Sequence, residues 1–191
     1  MIEQLLLPGV EPSWAPTDRL LLMLMPPPEV AERVDALTAR LRTQLGLKPR
    51  RSRERLHVTL CPLGDYDGLP APVVAAAGQA ATEVAAAPFD VTFDRMTSFR
   101  GGQAHPLVLL AGAGNDAIVA LRRRLAESLR AAGVPFPSRS AITPHMTLLR
   151  SPRSLPETPV EPVSWTVRDV VLVHSLLGQS KYVELGRWAL Q

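Results

Sequence analysis

One structural unit occurs twice in this chain of 191 residues. An apolar run that begins at Leu20 is followed by a helical pattern and then by His57, and the same order runs from Leu107 to His145. The histidine lies 37 positions after the start of the run in the first copy and 38 positions after it in the second. Self-similarity at a fixed period is typical of a repeated supersecondary unit. We therefore expect two halves of similar structure.

Apolar periodicity predicts the three elements of the first copy. Residues 20–25 are a continuous apolar run of strand length, and three prolines close it. In residues 29–45 the apolar positions recur every three or four residues, which predicts a helix that ends at Gly46. Residues 56–60 then predict a short strand.

The second copy predicts the same elements. Residues 107–111 form an apolar strand, and Asn115 or Asp116 can cap a helix that ends before Gly133. Residues 145–149 predict another short strand.

The remaining segments add one helix and several strands without the regular alternation of a doubly wound sheet. The helix is predicted over residues 71–87, and the strands over residues 89–93, 163–167, 170–173, 182–185 and 188–190. This order favours an α+β fold with mainly antiparallel sheets. Residues 1–18 are rich in proline and predict an arm, which leaves residues 19–191 as a single domain.

Composition excludes several classes of protein. The chain is 46% hydrophobic and 20% charged, and it has no apolar run of about 18 residues that could span a membrane. Glu3 and Pro8 do not fit a secretory signal. Cys61 is the single cysteine, so the chain cannot form an internal disulfide or a thiolate metal cluster. We expect a soluble cytoplasmic protein.

The net charge of +3 is small, but five basic residues cluster in residues 48–55, called here the basic segment. A solvated loop is the ordinary interpretation of such a run. Its position directly before His57 also fits contact with an RNA backbone.

Both histidines that end the repeat belong to the same tetrapeptide pattern of histidine, apolar residue, threonine and apolar residue. The two copies are His57-Val58-Thr59-Leu60 and His145-Met146-Thr147-Leu148. In a strand, alternate side chains share a face, so each histidine lies beside its threonine while the apolar residues face the core. If the copies pack about a pseudo-twofold axis, the two pairs face each other across a cleft that suits a phosphate group.

Two histidines can carry out concerted acid–base chemistry at cellular pH. With an ordinary pKa near 6.5, one imidazole can accept a proton from attacking water while the other donates one to the departing oxygen. The threonine hydroxyls can donate hydrogen bonds to the phosphate oxygens. This chemistry requires no metal and no cofactor.

The paired motifs, their spacing and their strand-helix-strand context resemble the 2H phosphoesterase superfamily, in particular its bacterial RNA 2′,3′-cyclic phosphodiesterase branch, also called 2′-5′ RNA ligase. The resemblance spans about residues 19–190. It implies two pseudo-symmetric lobes around a central cleft, with helices on the outside. It also implies that His57 is the proton donor and His145 the proton acceptor in hydrolysis of a 2′,3′-cyclic phosphate to a 2′-phosphate.

The sequence departs from the family pattern at two positions. The family often has an aromatic residue five places after the first histidine, where this chain has Pro62. The family also usually has an aromatic residue in the strand before the second helix, and residues 107–111, which form that strand here, contain none. Phe99, Tyr66 and Tyr182 are the other candidates for stacking on a base, with core packing as the alternative.

Several other residues have a functional and a structural interpretation. Arg150 follows His145 by five positions, and at the end of the strand its guanidinium can bind phosphate. Cys61 has the same strand parity as His57 but is expected to be a buried inert thiol. The three consecutive arginines at 122–124 are expected to face solvent, and His105 and His174 lack the threonine and are interpreted as structural.

We therefore expect a monomeric enzyme that opens 2′,3′-cyclic phosphates on RNA ends or nucleotides and can join a 2′-5′ linkage in reverse. The alternatives are a related enzyme for another cyclic phosphate or a 2′-5′ linkage, and a non-catalytic RNA-binding module. Zinc would need a third ligand; the nearest carboxylates, Asp65 and Asp67, are expected to be solvated.

Overall fold

A computed structural model describes residues 15–47, 56–134 and 142–191 of the chain. Within these ranges the chain forms eight strands and three helices. The strands are β1 (Asp18–Leu24), β2 (Val58–Tyr66), β3 (Phe89–Ser98), β4 (His105–Ala111), β5 (His145–Ser151), β6 (Thr158–Val167), β7 (Asp169–Leu176) and β8 (Lys181–Ala189). The helices are α1 (Pro28–Gln44), α2 (Ala71–Glu83) and α3 (Asn115–Ala131). The basic segment and most of the predicted N-terminal arm lie outside the described residues.

All eight strands join one antiparallel sheet in the order β6-β3-β4-β5-β2-β1-β7-β8. The predicted repeat is confirmed, because β1-α1-β2 and β4-α3-β5 take equivalent positions on either side of the centre. Each half contributes four strands, and the two halves meet where β2 pairs with β5. The molecule is therefore an α+β fold with pseudo-twofold symmetry, as the sequence predicts.

The apolar run of β1 faces two different environments. Leu20, Leu22 and Leu24 are fully buried in the main core, to which all three helices contribute. The alternate residues Leu21 and Met23 belong to a small cluster with two valines of β7 on the other face of the sheet. In the described ranges the helices contribute to the cluster on the first face and not to the one on the second, so the second face is the one on which a cleft can form.

Three details of the predicted elements are wrong. Helix α2 ends at Glu83, where residue 87 was expected. The end of the chain forms one strand, β8, where two were expected, and a register shift against β7 accommodates its irregular pattern. The N-cap of α3 is Gly114, not Asn115 or Asp116. Gly114 has φ 83°, and a Cβ there would lie 2.2 Å from the carbonyl oxygen of Asp90, so only glycine fits this turn.

None of the helices in the described ranges is long and apolar enough to cross a membrane.

Candidate active site

The two His-x-Thr motifs meet at the centre of the sheet. Val58 of β2 pairs with Met146 of β5, and both side chains are fully buried in the core. Continuing this antiparallel register by one residue on each side sets His57 opposite Thr147 and His145 opposite Thr59. The four polar side chains therefore share the face of the sheet opposite the core, and all four are half-buried.

Each motif contains a β-bulge at the same position, its fourth residue. In β2 the extra residue is Leu60, between the partners of Met23 and Leu22, and in β5 it is Leu148, between the partners of Val108 and Leu107. Each extra leucine is buried in the core. A bulge inserts one residue into the alternation, so the side chains directly after it change face.

The bulges explain two residues that simple alternation misplaces. Cys61 shares parity with His57 in sequence, but the bulge turns it into the core, where it has no exposed surface. Arg150 has the opposite parity to His145 in sequence, but the bulge returns it to the cleft face. Arg150 is paired with Pro106 and is exposed.

A cavity of about 430 Å³ opens at the first histidine. Its lining residues are Arg42, His57, Thr147, Leu148, Leu149, Arg150 and Tyr182. Three of the predicted site residues, His57, Thr147 and Arg150, therefore lie on one cavity. Arg42 was missed from sequence, although a basic residue in the last turn of the helix that leads to His57 is a usable signal.

The predicted residue Thr59 lines a separate cavity of about 500 Å³. The charged side chains of its lining, Arg19 and Asp65, form a bidentate ion pair with distances of 2.6 and 2.7 Å. The guanidinium holds the pKa of Asp65 below its usual range, mainly through these hydrogen bonds. Asp65 was expected to be solvated. It is instead half-buried and held in an ion pair.

The backbone fixes the ring of His145. Its Nδ1 lies 2.8 Å from the carbonyl oxygen of Thr143. A carbonyl oxygen can only accept, so Nδ1 carries the hydrogen and donates it. In the neutral imidazole this leaves Nε2 as the nitrogen with the free lone pair, which is the form that a general base needs.

The sulfur of Cys61 is not suited to nucleophilic catalysis. Burial raises the pKa of its thiol to about 12, against a smaller lowering by Arg122. Arg122 was expected to face solvent, and that prediction is wrong: it is buried, and its Nε donates a 3.1 Å hydrogen bond to the carbonyl oxygen of Leu60. Arg123 and Arg124 are exposed, as expected, and the guanidinium of Arg124 donates to the carbonyl oxygen of Ala85.

The two histidines outside the motifs make structural hydrogen bonds. The Nδ1 of His105 accepts a 3.3 Å hydrogen bond from the backbone N–H of Gly101. The imidazole of His174 bonds to the carboxylate of Asp18, and both residues are buried. Over the parts of the chain that the structure describes, no three His, Cys, Asp or Glu side chains are grouped so as to hold a metal ion.

A family model matches residues 26–179, which include both motifs, the two helices of the repeat and the central strand pair. The model is that of the 2′-5′ RNA ligase superfamily. The chain belongs to this superfamily. The resemblance to the 2H phosphoesterases that was inferred from the paired motifs is thereby confirmed.

Solved structures of similar fold agree with the superfamily assignment. LigT of E. coli in complex with 3′-AMP has a TM-score of 0.69 at 24% identity, over 93% of this chain and 99% of that one. A phosphoesterase has a TM-score of 0.71 at 23% identity over the same shares. A protein of Thermus thermophilus has a TM-score of 0.68 at 24% identity, over 90% and 97%. No sequence among the curated proteins matches the chain.

In this member of the 2′-5′ RNA ligase superfamily, one aromatic ring lies against each motif histidine. Tyr182 meets His57 edge to face at 5.6 Å between ring centroids, and Phe99 meets His145 in the same way at 4.8 Å. Tyr66, the third aromatic candidate, packs on the core and donates a hydrogen bond to the carbonyl oxygen of Leu63. Tyr182 and Phe99 therefore border the site, and Tyr66 does not.

Proposed function

We propose that this protein hydrolyses 2′,3′-cyclic phosphates of RNA ends or nucleotides to 2′-phosphates, using His57 as proton donor and His145 as proton acceptor. The observation that carries the proposal is the pairing of Val58 with Met146, which puts both histidines and both threonines on one face. Simple binding of RNA does not require a pair of histidines that can accept and donate protons. An enzyme is therefore favoured over an RNA-binding module.

The proposed reaction is a displacement at phosphorus. Nε2 of His145 accepts a proton from water as the water oxygen bonds to phosphorus, and the bond from phosphorus to the 3′-oxygen breaks. His57 donates its proton to that 3′-oxygen, so the phosphate remains on the 2′-oxygen. The hydrogen bond from Nδ1 of His145 to the carbonyl oxygen of Thr143 supports the role of base, because a neutral ring held in this way has its lone pair on Nε2.

Three other side chains are suited to bind the phosphate. Thr59 and Thr147 can each donate a hydroxyl hydrogen bond to a non-bridging oxygen, where negative charge increases in the transition state. Arg150 lies on the same cavity as His57 and Thr147, and a guanidinium can hold two phosphate oxygens at once. No step of this mechanism uses a metal ion.

The relatives agree with a nucleotide substrate. LigT of E. coli has been crystallised with 3′-AMP, with ATP and with phosphate. By extension we expect this protein to bind nucleotide ends in its cleft, to act as a monomer in the cytoplasm, and to form a 2′-5′ linkage when a 5′-hydroxyl takes the place of water in the ring opening.

The test is incubation of an oligonucleotide ending in a 2′,3′-cyclic phosphate with the protein in EDTA, followed by identification of the product end. A 2′-phosphate end supports the proposal, and an unchanged cyclic end contradicts it. A parallel reaction with a 2′-5′-linked dinucleotide separates the related activity: cleavage of that compound alone would assign the site to 2′-5′ linkages. Binding of the oligonucleotide without turnover would favour the RNA-binding module.

A further inference from the structure

The imidazole of His145 is held by two contacts that come from different parts of the chain. Its Nδ1 donates a hydrogen bond of 2.8 Å to the carbonyl oxygen of Thr143. The ring of Phe99 lies against it, with 4.8 Å between the ring centroids and 68° between the ring planes. A single hydrogen bond fixes one corner of an imidazole, and the χ2 torsion of histidine is broad, so the ring could still tilt about that bond. The contact with Phe99 limits this tilt.

The backbone around Phe99 is anchored on both sides. Phe99 directly follows β3, and its N–H donates a 2.9 Å hydrogen bond to the carbonyl oxygen of Pro106 in β4. The preceding residue, Ser98, is bonded twice to Leu155. Its N–H donates to the carbonyl oxygen at 3.1 Å, and its hydroxyl accepts from the N–H at 2.9 Å. The ring of Phe99 therefore extends from backbone that is fixed to its neighbours, and it can act as a firm stop for the histidine.

Phe99 lies outside the apolar clusters and outside the two cavities of the site. Among the described residues it belongs to neither apolar cluster. It does not line the cavity at His57 or the cavity at Thr59. Core packing and stacking on a base in either cavity therefore do not describe its position, whereas contact with an imidazole does.

The pseudo-twofold symmetry repeats this arrangement at the other histidine. β3 pairs with the first strand of the second copy and β7 pairs with the first strand of the first copy, so β3 and β7 are equivalent. Phe99 follows β3 and meets His145, whereas Tyr182 follows β7, as the second residue of β8, and meets His57. Each half thus supplies a ring to its own histidine from an equivalent place. A role toward the imidazole accounts for both rings, whereas stacking on one base would account for only one of them.

We propose that Phe99 is a positioning residue for His145. Its ring keeps the imidazole in the orientation in which Nδ1 donates to Thr143 and Nε2 is directed at the attacking water. The inference rests on the proposed function, in which Nε2 of His145 accepts a proton from that water. Proton transfer needs hydrogen-bond distance and alignment, so a tilted base slows the reaction. An edge-to-face aromatic contact is strong enough to change the rate by about 3- to 10-fold.

The kinetics of Phe99→Leu on two substrates, 2′,3′-cyclic AMP and 2′,3′-cyclic UMP, test this role. Loss of the ring should lower kcat by about 3- to 10-fold on both compounds and leave KM within about two-fold, because the base of the substrate is not involved. Phe99→Tyr keeps a ring, as Tyr182 does at His57, and should keep most of kcat. Phe89→Leu is the matched control: it makes the same substitution at the other end of β3, where Phe89 packs on the core, and should keep the wild-type kcat.

NMR of the imidazole nitrogens supplies a readout that does not depend on turnover. In the wild-type protein the neutral ring of His145 should carry its hydrogen on Nδ1, because the carbonyl oxygen of Thr143 accepts it. In Phe99→Leu the spectrum should shift toward hydrogen on Nε2, since the ring is then free to leave that carbonyl oxygen. In Phe89→Leu the spectrum should match the wild type.

An unchanged kcat of Phe99→Leu would overturn the proposal, as would a lowered kcat with an unchanged spectrum of His145. A rise in KM that is larger for the adenine compound would also overturn it, since Phe99 would then act on the base. So would an equal loss of kcat in Phe99→Tyr and Phe99→Leu. If the wild-type protein does not open the cyclic phosphate, the proposed reaction fails, while a shifted spectrum in Phe99→Leu leaves the positioning of His145 by Phe99 standing.

Discussion

Val58 of β2 and Met146 of β5 are paired across the pseudo-twofold axis, and no other backbone pair of the described chain joins these two strands. Each residue directly follows a motif histidine. The contact between two buried apolar side chains thus sets how far apart the two imidazoles lie. A regular antiparallel ladder separates such diagonal neighbours by about 7–8 Å, which leaves room for one phosphate between them.

The first prediction concerns the two histidines. Because each is proposed to move a different proton, His57→Ala and His145→Ala should each lower kcat on a 2′,3′-cyclic phosphate by about 10²-fold or more. Both side chains are half-buried at the edge of the cleft, so Tm should change little.

His105→Ala is the matched control, since His105 lies outside the motifs and accepts a backbone hydrogen bond from Gly101. It should retain wild-type kcat. Full activity of either motif variant would contradict the acid–base mechanism.

The threonines should contribute less than the histidines. Thr59→Ala and Thr147→Ala each remove one donor to the phosphate and should cost about 1–3 kcal/mol of transition-state stabilisation in kcat/KM. Thr59→Ser and Thr147→Ser keep the hydroxyl and should recover most of the loss. Unchanged kinetics in both alanine variants would mean that the threonines only pack.

The repeat, the order of elements and the two motifs could be predicted because each depends on local periodicity and spacing. The faces of Cys61 and Arg150 could not be derived from alternation, because a bulge is fixed by the pairing with a neighbouring strand. The same holds for Arg122, whose hydrogen-bond acceptor Leu60 is 62 positions away in the sequence. The contacts of Phe99 and Tyr182 with the histidines are likewise long-range and have no local signal.

The pH dependence should reflect two groups of opposite protonation. The mechanism requires neutral His145 and protonated His57, so kcat/KM should follow a bell-shaped profile in EDTA. The product should carry its phosphate on the 2′-oxygen. A 3′-phosphate would mean that donor and acceptor are exchanged, and a flat profile from about pH 5 to 9 would exclude proton transfer by both histidines.

The stability of the folded protein should depend on pH through the ionisation of the Asp18 carboxyl. The hydroxyl of Thr17 lowers the pKa of the buried Asp18 carboxyl, with further lowering by His174 and the backbone N–H of Gly68, and burial opposes them. A lowered pKa in the folded state stabilises the protein at pH values above the ordinary 3.8, and this stabilisation is lost as pH falls below it.

Asp18→Asn should therefore lower Tm at pH 7, measured by thermal unfolding, and the difference from wild type should shrink as the pH falls below about 4. Asp67→Asn, an exposed carboxylate outside this network, should show no such convergence. A constant difference in Tm from pH 7 to pH 3 would contradict an ionised role for Asp18.

The last prediction concerns the bulge that turns Cys61 away from the site. Leu60 is the unpaired residue of that bulge, and the Nε of Arg122 donates to its carbonyl oxygen. With burial raising the thiol pKa to about 12, Cys61 in the native protein should react with a disulfide reagent at pH 8 far more slowly than a free thiol. Arg122→Met removes the donor, leaves a buried carbonyl unsatisfied and should speed labelling by about 10-fold or more.

Loss of global stability would also expose the thiol, so two controls belong with this measurement. Arg123→Met changes an exposed neighbour on the same helix and should label at the wild-type rate. Leu129→Ala destabilises the core from α3 without touching the bulge, and at equal Tm it should label more slowly than Arg122→Met. If labelling follows Tm alone across the three variants, Arg122 stabilises the fold in general and the bulge persists without its hydrogen bond.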